Sequence, residues 1–154
     1  MVNQKRNINR PRAIGLAINN NKVLLHKCEG DNFWSFPGGG IEFFESSIET
    51  VKREMQEEMG VEVIVDKLVW IAEVFGEDEY MKLHEIGFYY LIQLPERLYS
   101  LNEFEGNEEG KRLLYKWFRI DDLDEVYLLP SFAKKELKNI GPDQVKHFIH
   151  WDTE

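Results

Sequence analysis

The alternation and clustering of apolar positions divide the chain into short elements. Residues 13–18 are an apolar run with the character of a strand. Asn19, Asn20 and Asn21 break it as a turn, and residues 22–27 follow as a second strand, so a hairpin is predicted. Gly38, Gly39 and Gly40 form a sharp break. Residues 46–59 have helical periodicity, with Ile48, Val51, Met55 and Met59 on one apolar stripe. Ser46 suits the N-cap, Glu49 completes a capping box, and Gly60 stands where a helix C-terminal glycine belongs.

Residues 61–65 and 69–75 are rich in β-branched and apolar side chains, which predicts two strands. Residues 85–94 read as a strong strand closed by Pro95, and residues 95–110 as a polar loop. Residues 116–120 predict a further strand, and residues 131–139 a helix stopped by Gly141-Pro142. The tail, residues 143–154, has no decisive pattern. This order of strands and helices implies an α/β domain with a mixed sheet, residues 1–154 forming one unit.

Composition narrows the setting. Hydrophobic residues make up 43% of the 154, enough for one packed core. Cys28 is the single cysteine, so a disulfide within the chain is excluded and a reducing cytoplasm is expected. No apolar stretch approaches the ~20 residues of a membrane helix, and the polar, basic start does not resemble a signal peptide. The net charge of −9 is the wrong sign for gripping long nucleic acid. It does not prevent a small polyanion from binding through metal ions.

The chemistry concentrates in residues 39–61. On a helix Glu54, Glu57 and Glu58 stand at i, i+3 and i+4 and share a face. Like charges at that spacing cost about 0.2–0.5 kcal/mol per pair. A hard cation reverses the sign, and magnesium commonly bridges carboxylates to substrate phosphates. The preceding glycines, Gly38 and Gly39, allow the backbone close to the same site. A glutamate face alone would read as solvated, with Arg53 pairing Glu49 and Glu57. The larger pattern decides otherwise.

That pattern resembles the Nudix box. Its fixed positions are matched by Gly39, Glu45, Arg53, Glu54, Glu57, Glu58 and Gly60, with Met55 and Val61 at the two apolar positions. Met55 is unbranched where Leu, Ile or Val is usual. Residues 34–40 resemble the family's approach to the box, and residues 117–123 its late strand. The resemblance implies an α/β/α sandwich around a mixed β-sheet and a metal-dependent cut at a diphosphate linkage. It implies that Glu57, Glu58 and the Gly39 carbonyl ligate Mg2+ or Mn2+, with Glu54 a ligand or the general base. Glu45 and Arg53 would pair and orient the glutamates.

In some relatives a loop after the box supplies the base instead. Glu103, Glu105, Glu108 and Glu109 are candidates here, with Glu109 taken into the site; Glu77, Asp78 and Glu79 are weaker ones. Lys27 ends the second strand facing the box loop in the family and could touch phosphate with Gly38 and Gly39. Trp34 and Phe36 read as packing residues. His147 and His150 lack a third ligand, and Cys28 reads as a small apolar residue.

The expected substrate is a small nucleotide-like diphosphate. Nucleoside triphosphates, including oxidised or non-standard ones, rank ahead of dinucleoside polyphosphates and ADP-ribose. The proline that ADP-sugar hydrolases carry past the box is absent, and Tyr80 only approaches the tyrosine of diadenosine polyphosphate hydrolases. The contrasting reading is a Nudix-fold sensor that binds a nucleotide without cutting it; such modules usually lose a box carboxylate. A decapping enzyme should show a basic RNA path. Whether the chain forms a homodimer stays open.

Overall fold

A computed structural model describes residues 4–152 of the chain. Strand β1 (Arg6–Asn19) turns at Asn20 and Asn21 into β2 (Lys22–Cys28). Both asparagines have positive φ, 50° and 59°, the backbone that a two-residue type I′ hairpin turn requires. The short β3 (Gly38–Gly40) leads through a loop to helix α1 (Ser47–Met59). Then come β4 (Ile64–Glu77), β5 (Met81–Gln93), β6 (Glu103–Glu108) and β7 (Lys111–Arg119). Helix α2 (Ala133–Glu136) and β8 (Lys146–Asp152) complete the described residues.

The strands lie in the order β6-β7-β2-β1-β5-β4-β8, with β3 on the flank of β1. The β1–β5 and β4–β8 pairs are parallel and the others antiparallel, so the sheet is mixed as expected. β1 is the pivot. It pairs β5 along most of its length, takes β3 opposite residues 12–14, and reaches β2 only at Ile18 and Asn19. The two halves of the sheet therefore diverge from β1, and the segment leading into β3 bridges back to β2 through His26 and Ser35.

Each face carries its own core. Val51 and Met55 of α1 pack on Ala13, Ala17, Leu24, Tyr115 and Trp117. On the other face Ile14, Leu16, Leu25, Trp70 and Tyr89 are covered by Leu123, Leu128, Ala133 and Leu137. Helical layers thus flank both faces, the α/β/α sandwich expected. The second layer is thin, built from α2 and 3₁₀ turns at Ile120–Glu125 and Leu137–Asn139.

Several sequence expectations need correction. The stretch read as a polar loop, residues 95–110, contains a 3₁₀ turn (Glu96–Ser100) and strand β6. β6 is an edge strand, and its charged side chains are those that edges tolerate. The two strands expected at 61–65 and 69–75 are one strand, β4, bulged on either side of Leu68. Ile48, assigned to the apolar stripe of α1, is exposed. The tail forms β8, held by parallel pairing to β4. Among the described residues no helix is long and apolar enough to cross a membrane.

Candidate functional site

Local chemistry fixes the phase of α1. The Ser46 side chain accepts from the Glu49 N–H at 3.2 Å, and Glu49 accepts from the Ser46 N–H at 2.8 Å. Gly60 closes the helix in the left-handed region, φ 68°, with its N–H donating to the Gln56 carbonyl. With Val51 and Met55 turned into the core, Glu54 and Glu58 fall on the inner flank and Glu57 on the outer one. A Cβ on Gly39 would overlap the Glu54 carboxyl, so only glycine lets β3 lie against that side chain. A Cβ on Gly38 would overlap the Ala13 carbonyl oxygen.

Arg53 organises the outer half of the site. Its Nε donates to Glu45 Oε2 at 2.8 Å and its Nη2 to Glu45 Oε1 at 3.0 Å. Nη1 donates to Glu54 at 2.8 Å and to Glu57 at 3.2 Å, and Nη2 also reaches the Gly40 carbonyl. Buried Thr50 donates a further bond to Glu45. The guanidinium, then the Thr50 hydroxyl, hold the Glu45 carboxyl down at about 2. Arg53 is pushed above its ordinary range, chiefly by Glu45.

The inner half is a buried carboxylate. Glu58 is 3% exposed, with Oε2 accepting from the Tyr115 hydroxyl at 3.2 Å and Oε1 without a partner. Burial first, then the charges of Glu54 and Glu108, push its carboxyl up to about 8. Burial also raises Glu54, although Arg53 opposes the shift. A buried, unpaired carboxylate oxygen costs free energy unless something charged completes it.

The remaining expected residues divide. Glu109 sits at the β6–β7 turn with φ 49°, exposed to solvent. Glu108, one residue earlier, is the carboxylate whose charge reaches Glu54 and Glu58. Glu103 and Glu105 pair with Lys116 and Arg112, and Glu77 with Lys5. Asp78 caps the N–H groups of Tyr80 and Met81, and Glu79 is exposed.

Lys27 does not face the glutamates. Its neighbour His26 packs on Tyr115 under α1, so alternation turns Lys27 to the opposite face, where its ammonium lies 5.0 Å from the Trp34 ring centroid. Phe36 is buried and Trp34 packs edge-on against Phe118. His147 bonds Glu73, and His150 bonds Asp152 and Ser131. Burial raises the thiol of the half-buried Cys28.

Sequence reasoning missed Tyr115, which lies 57 residues from Glu58 with no local signal linking them. It also missed Arg12. Arg12 lies 3.7 Å from Glu85, and its charge acts on both Glu58 and His26.

The donors around Glu58 are oxygens, which suits a hard cation such as magnesium. Among the described residues no three His, Cys, Asp or Glu side chains close a cage of their own. Magnesium takes one or two carboxylates and completes its shell with water and substrate phosphates. The unpartnered Glu58 Oε1 and the glycine-lined approach of Glu54 fit such an ion.

Comparisons with known proteins follow the same line. The NUDIX domain family model matches residues 9–140. An 8-oxo-dGTP diphosphatase of Buchnera aphidicola is 30% identical over 122 residues, 77% of this chain and 82% of that protein. An RNA pyrophosphohydrolase of Acinetobacter baylyi is 39% identical over 61 residues; they are 36% of this chain and 37% of that protein. Among solved structures, an ADP-ribose pyrophosphatase from Streptococcus suis superposes with a TM-score of 0.61 at 18% identity. It covers 90% of this chain and 98% of its own.

Proposed function

The chain belongs to the NUDIX domain family as a pyrophosphohydrolase, and we propose that it cleaves small nucleoside diphosphate derivatives with magnesium or manganese. The observation that carries this is Glu58: a buried carboxylate with one oxygen bonded to Tyr115 and the other without a partner. Glu57, Glu58 and the Gly39 carbonyl would hold the metal, with Glu54 as ligand or base. The bound ion would supply positive charge to the diphosphate oxygens.

The chain's own groups supply the rest. Arg53 restrains Glu54 by its hydrogen bond and anchors the box loop through Glu45. Burial raises Glu54, so the carboxylate takes a proton more readily than an exposed one. As a base it would take the proton of the attacking water. The water oxygen bonds to one phosphorus, the bond from that phosphorus to the bridging oxygen breaks, and the other phosphate leaves with the electron pair. Glu108 is the alternative base, in preference to Glu109, because its charge reaches the cluster.

Nucleoside triphosphates, oxidised or otherwise non-standard ones included, rank first. The similarity to an 8-oxo-dGTP diphosphatase over 77% of this chain supports that order, and the charge of −9 disfavours long nucleic acid. The test is incubation with triphosphates, dinucleoside polyphosphates, ADP-ribose and 5′-triphosphorylated RNA in heavy-oxygen water with magnesium. Label in a phosphate released from a small nucleotide is the expected result. Turnover of RNA alone would overturn the substrate class. Tight nucleotide binding without any cleavage would favour the sensor reading.

A further inference from the structure

A row of rings runs beneath the C-terminal turns of α1. Phe104, Tyr115 and His26 are cross-strand partners on β6, β7 and β2. Phe104 and Tyr115 stack with centroids 5.0 Å apart and planes within 5°, and His26 meets Tyr115 from the other strand at 5.4 Å. Tyr115 is fully buried, and His26 is 7% exposed. A ring clamped between two others on paired strands has little freedom of its own.

The helix is seated directly on this row. A Cβ on Gly106 of β6 would overlap both the Glu58 carbonyl oxygen and the Tyr115 ring. The close approach brings the Tyr115 hydroxyl to 3.2 Å from Glu58 Oε2, while Oε1 has no partner. A carboxylate with one oxygen anchored cannot turn freely about its last bond. The other oxygen then points in a set direction.

We infer that Tyr115 is a positioning residue: its hydroxyl anchors Glu58 Oε2 so that Oε1 is presented to the divalent cation. This rests on the reading of Glu58 as a metal ligand. The β6–β7 hairpin, remote in sequence from the box, would thereby share in building the metal site. Partners that orient a ligand are typically worth 10–100-fold in metal affinity.

The test is Mn2+ binding by the whole, nucleotide-free chain, followed by the paramagnetic signal of the free ion. Tyr115→Phe keeps the ring and removes the hydroxyl. It should weaken Mn2+ binding by about 10–100-fold while circular dichroism in chelator shows a folded protein. Wild-type affinity in that variant overturns the inference. Phe104→Leu, which loosens the row but keeps the hydroxyl, should weaken binding several-fold; wild-type affinity there counts against the inference too.

Glu58→Gln separates the two readings. If it binds Mn2+ as tightly as wild type, the ligand assignment itself has failed. If it loses binding while Tyr115→Phe does not, only the positioning role has failed. In the Glu58→Gln background Tyr115→Phe should have no further effect. An equal loss in both backgrounds would mean that Tyr115 acts on the fold rather than through Glu58.

Discussion

Arg53 grips Glu45 with two parallel hydrogen bonds, Nε to Oε2 at 2.8 Å and Nη2 to Oε1 at 3.0 Å. The same guanidinium continues to Glu54 and Glu57, so one side chain ties the box loop to two residues of the acidic face. A lysine would keep the charge and lose the fork. Arg53→Lys should lower thermal stability by about 1–2 kcal/mol and reduce turnover along with it. Unchanged melting and unchanged kinetics would show that the fork is not holding the loop.

Gly39 offers a cleaner separation of activity from folding. A Cβ there meets the end of the flexible Glu54 side chain and not backbone. The fold can give way by moving that carboxylate. Gly39→Ala should therefore melt within a degree or two of wild type while its kcat falls by about 10²-fold or more, as loss of a base or ligand would do. Wild-type kcat in a stable Gly39→Ala protein would mean that the position of Glu54 is immaterial.

Phe44 sits in the box loop with φ 66° and is 98% exposed. A left-handed backbone costs a residue with a Cβ roughly 1–2 kcal/mol, and this ring buries nothing in return. Phe44→Gly should raise the unfolding free energy by about 1 kcal/mol in a urea titration. A loss of stability in that variant would reveal a contact of the ring that outweighs the strain.

What could be read from the sequence follows how local each signal is. Ser46, Glu49 and Gly60 act within one turn of the groups they cap, so α1 was legible almost to the residue. Glu45, Arg53, Glu54 and Glu57 lie in the same short stretch and Arg53 bonds all three glutamates, whereas Glu58, expected on one face with Glu54 and Glu57, is buried on the inner flank. β6 was not legible, because residues 103–108 carry glutamates, asparagine and glycine whose strand state comes from pairing with β7. β8 depends likewise on β4, some seventy residues away. Tyr115 under Glu58 was hidden for the same reason: the sheet brings it there. Lys27 was misplaced because alternation along β2, fixed by His26 packing on Tyr115, turns it to the other face.

His26 gives a pH dependence with a definite sign. Burial, reinforced by the Arg12 charge, holds its pKa down at about 4, against 6.5 for the ordinary side chain. Between those values the unfolded chain binds the proton and the folded one does not, so this contribution to stability rises with pH. It is lost as pH falls below about 6.5, by about 2 kcal/mol between pH 7 and pH 5. His26→Phe keeps a ring against Tyr115 and removes the titration. The stability of wild type relative to His26→Phe should drop by that amount over the window. A difference independent of pH would mean that the histidine is not buried in its neutral form.

Glu57 and Glu58 should separate when stability and metal response are measured together. Glu57 lies on the outer flank with its side chain 59% exposed, against 3% for the whole of Glu58. On the proposed function both ligate the metal, so Glu57→Gln and Glu58→Gln should each lower turnover by about 10²–10⁴-fold. Without metal the two differ. Glu57 is solvated and bonded to Arg53, so its amide variant should melt close to wild type in chelator. Glu58 is a carboxylate in a buried setting with one oxygen unpaired, and a neutral amide avoids the cost of burying charge. Glu58→Gln should therefore be more stable than wild type in chelator at pH 8, by about 1–3 kcal/mol. Metal then reverses the ranking. An ion at 100 times its Kd adds about 2.7 kcal/mol to a protein that binds it only when folded, and Glu58→Gln should gain little of this. Paired melts of the three proteins in chelator and in millimolar Mn2+ read both effects. A Glu58→Gln protein that is destabilised in chelator, or that gains as much from Mn2+ as wild type, would show that the buried oxygen is not kept for a cation.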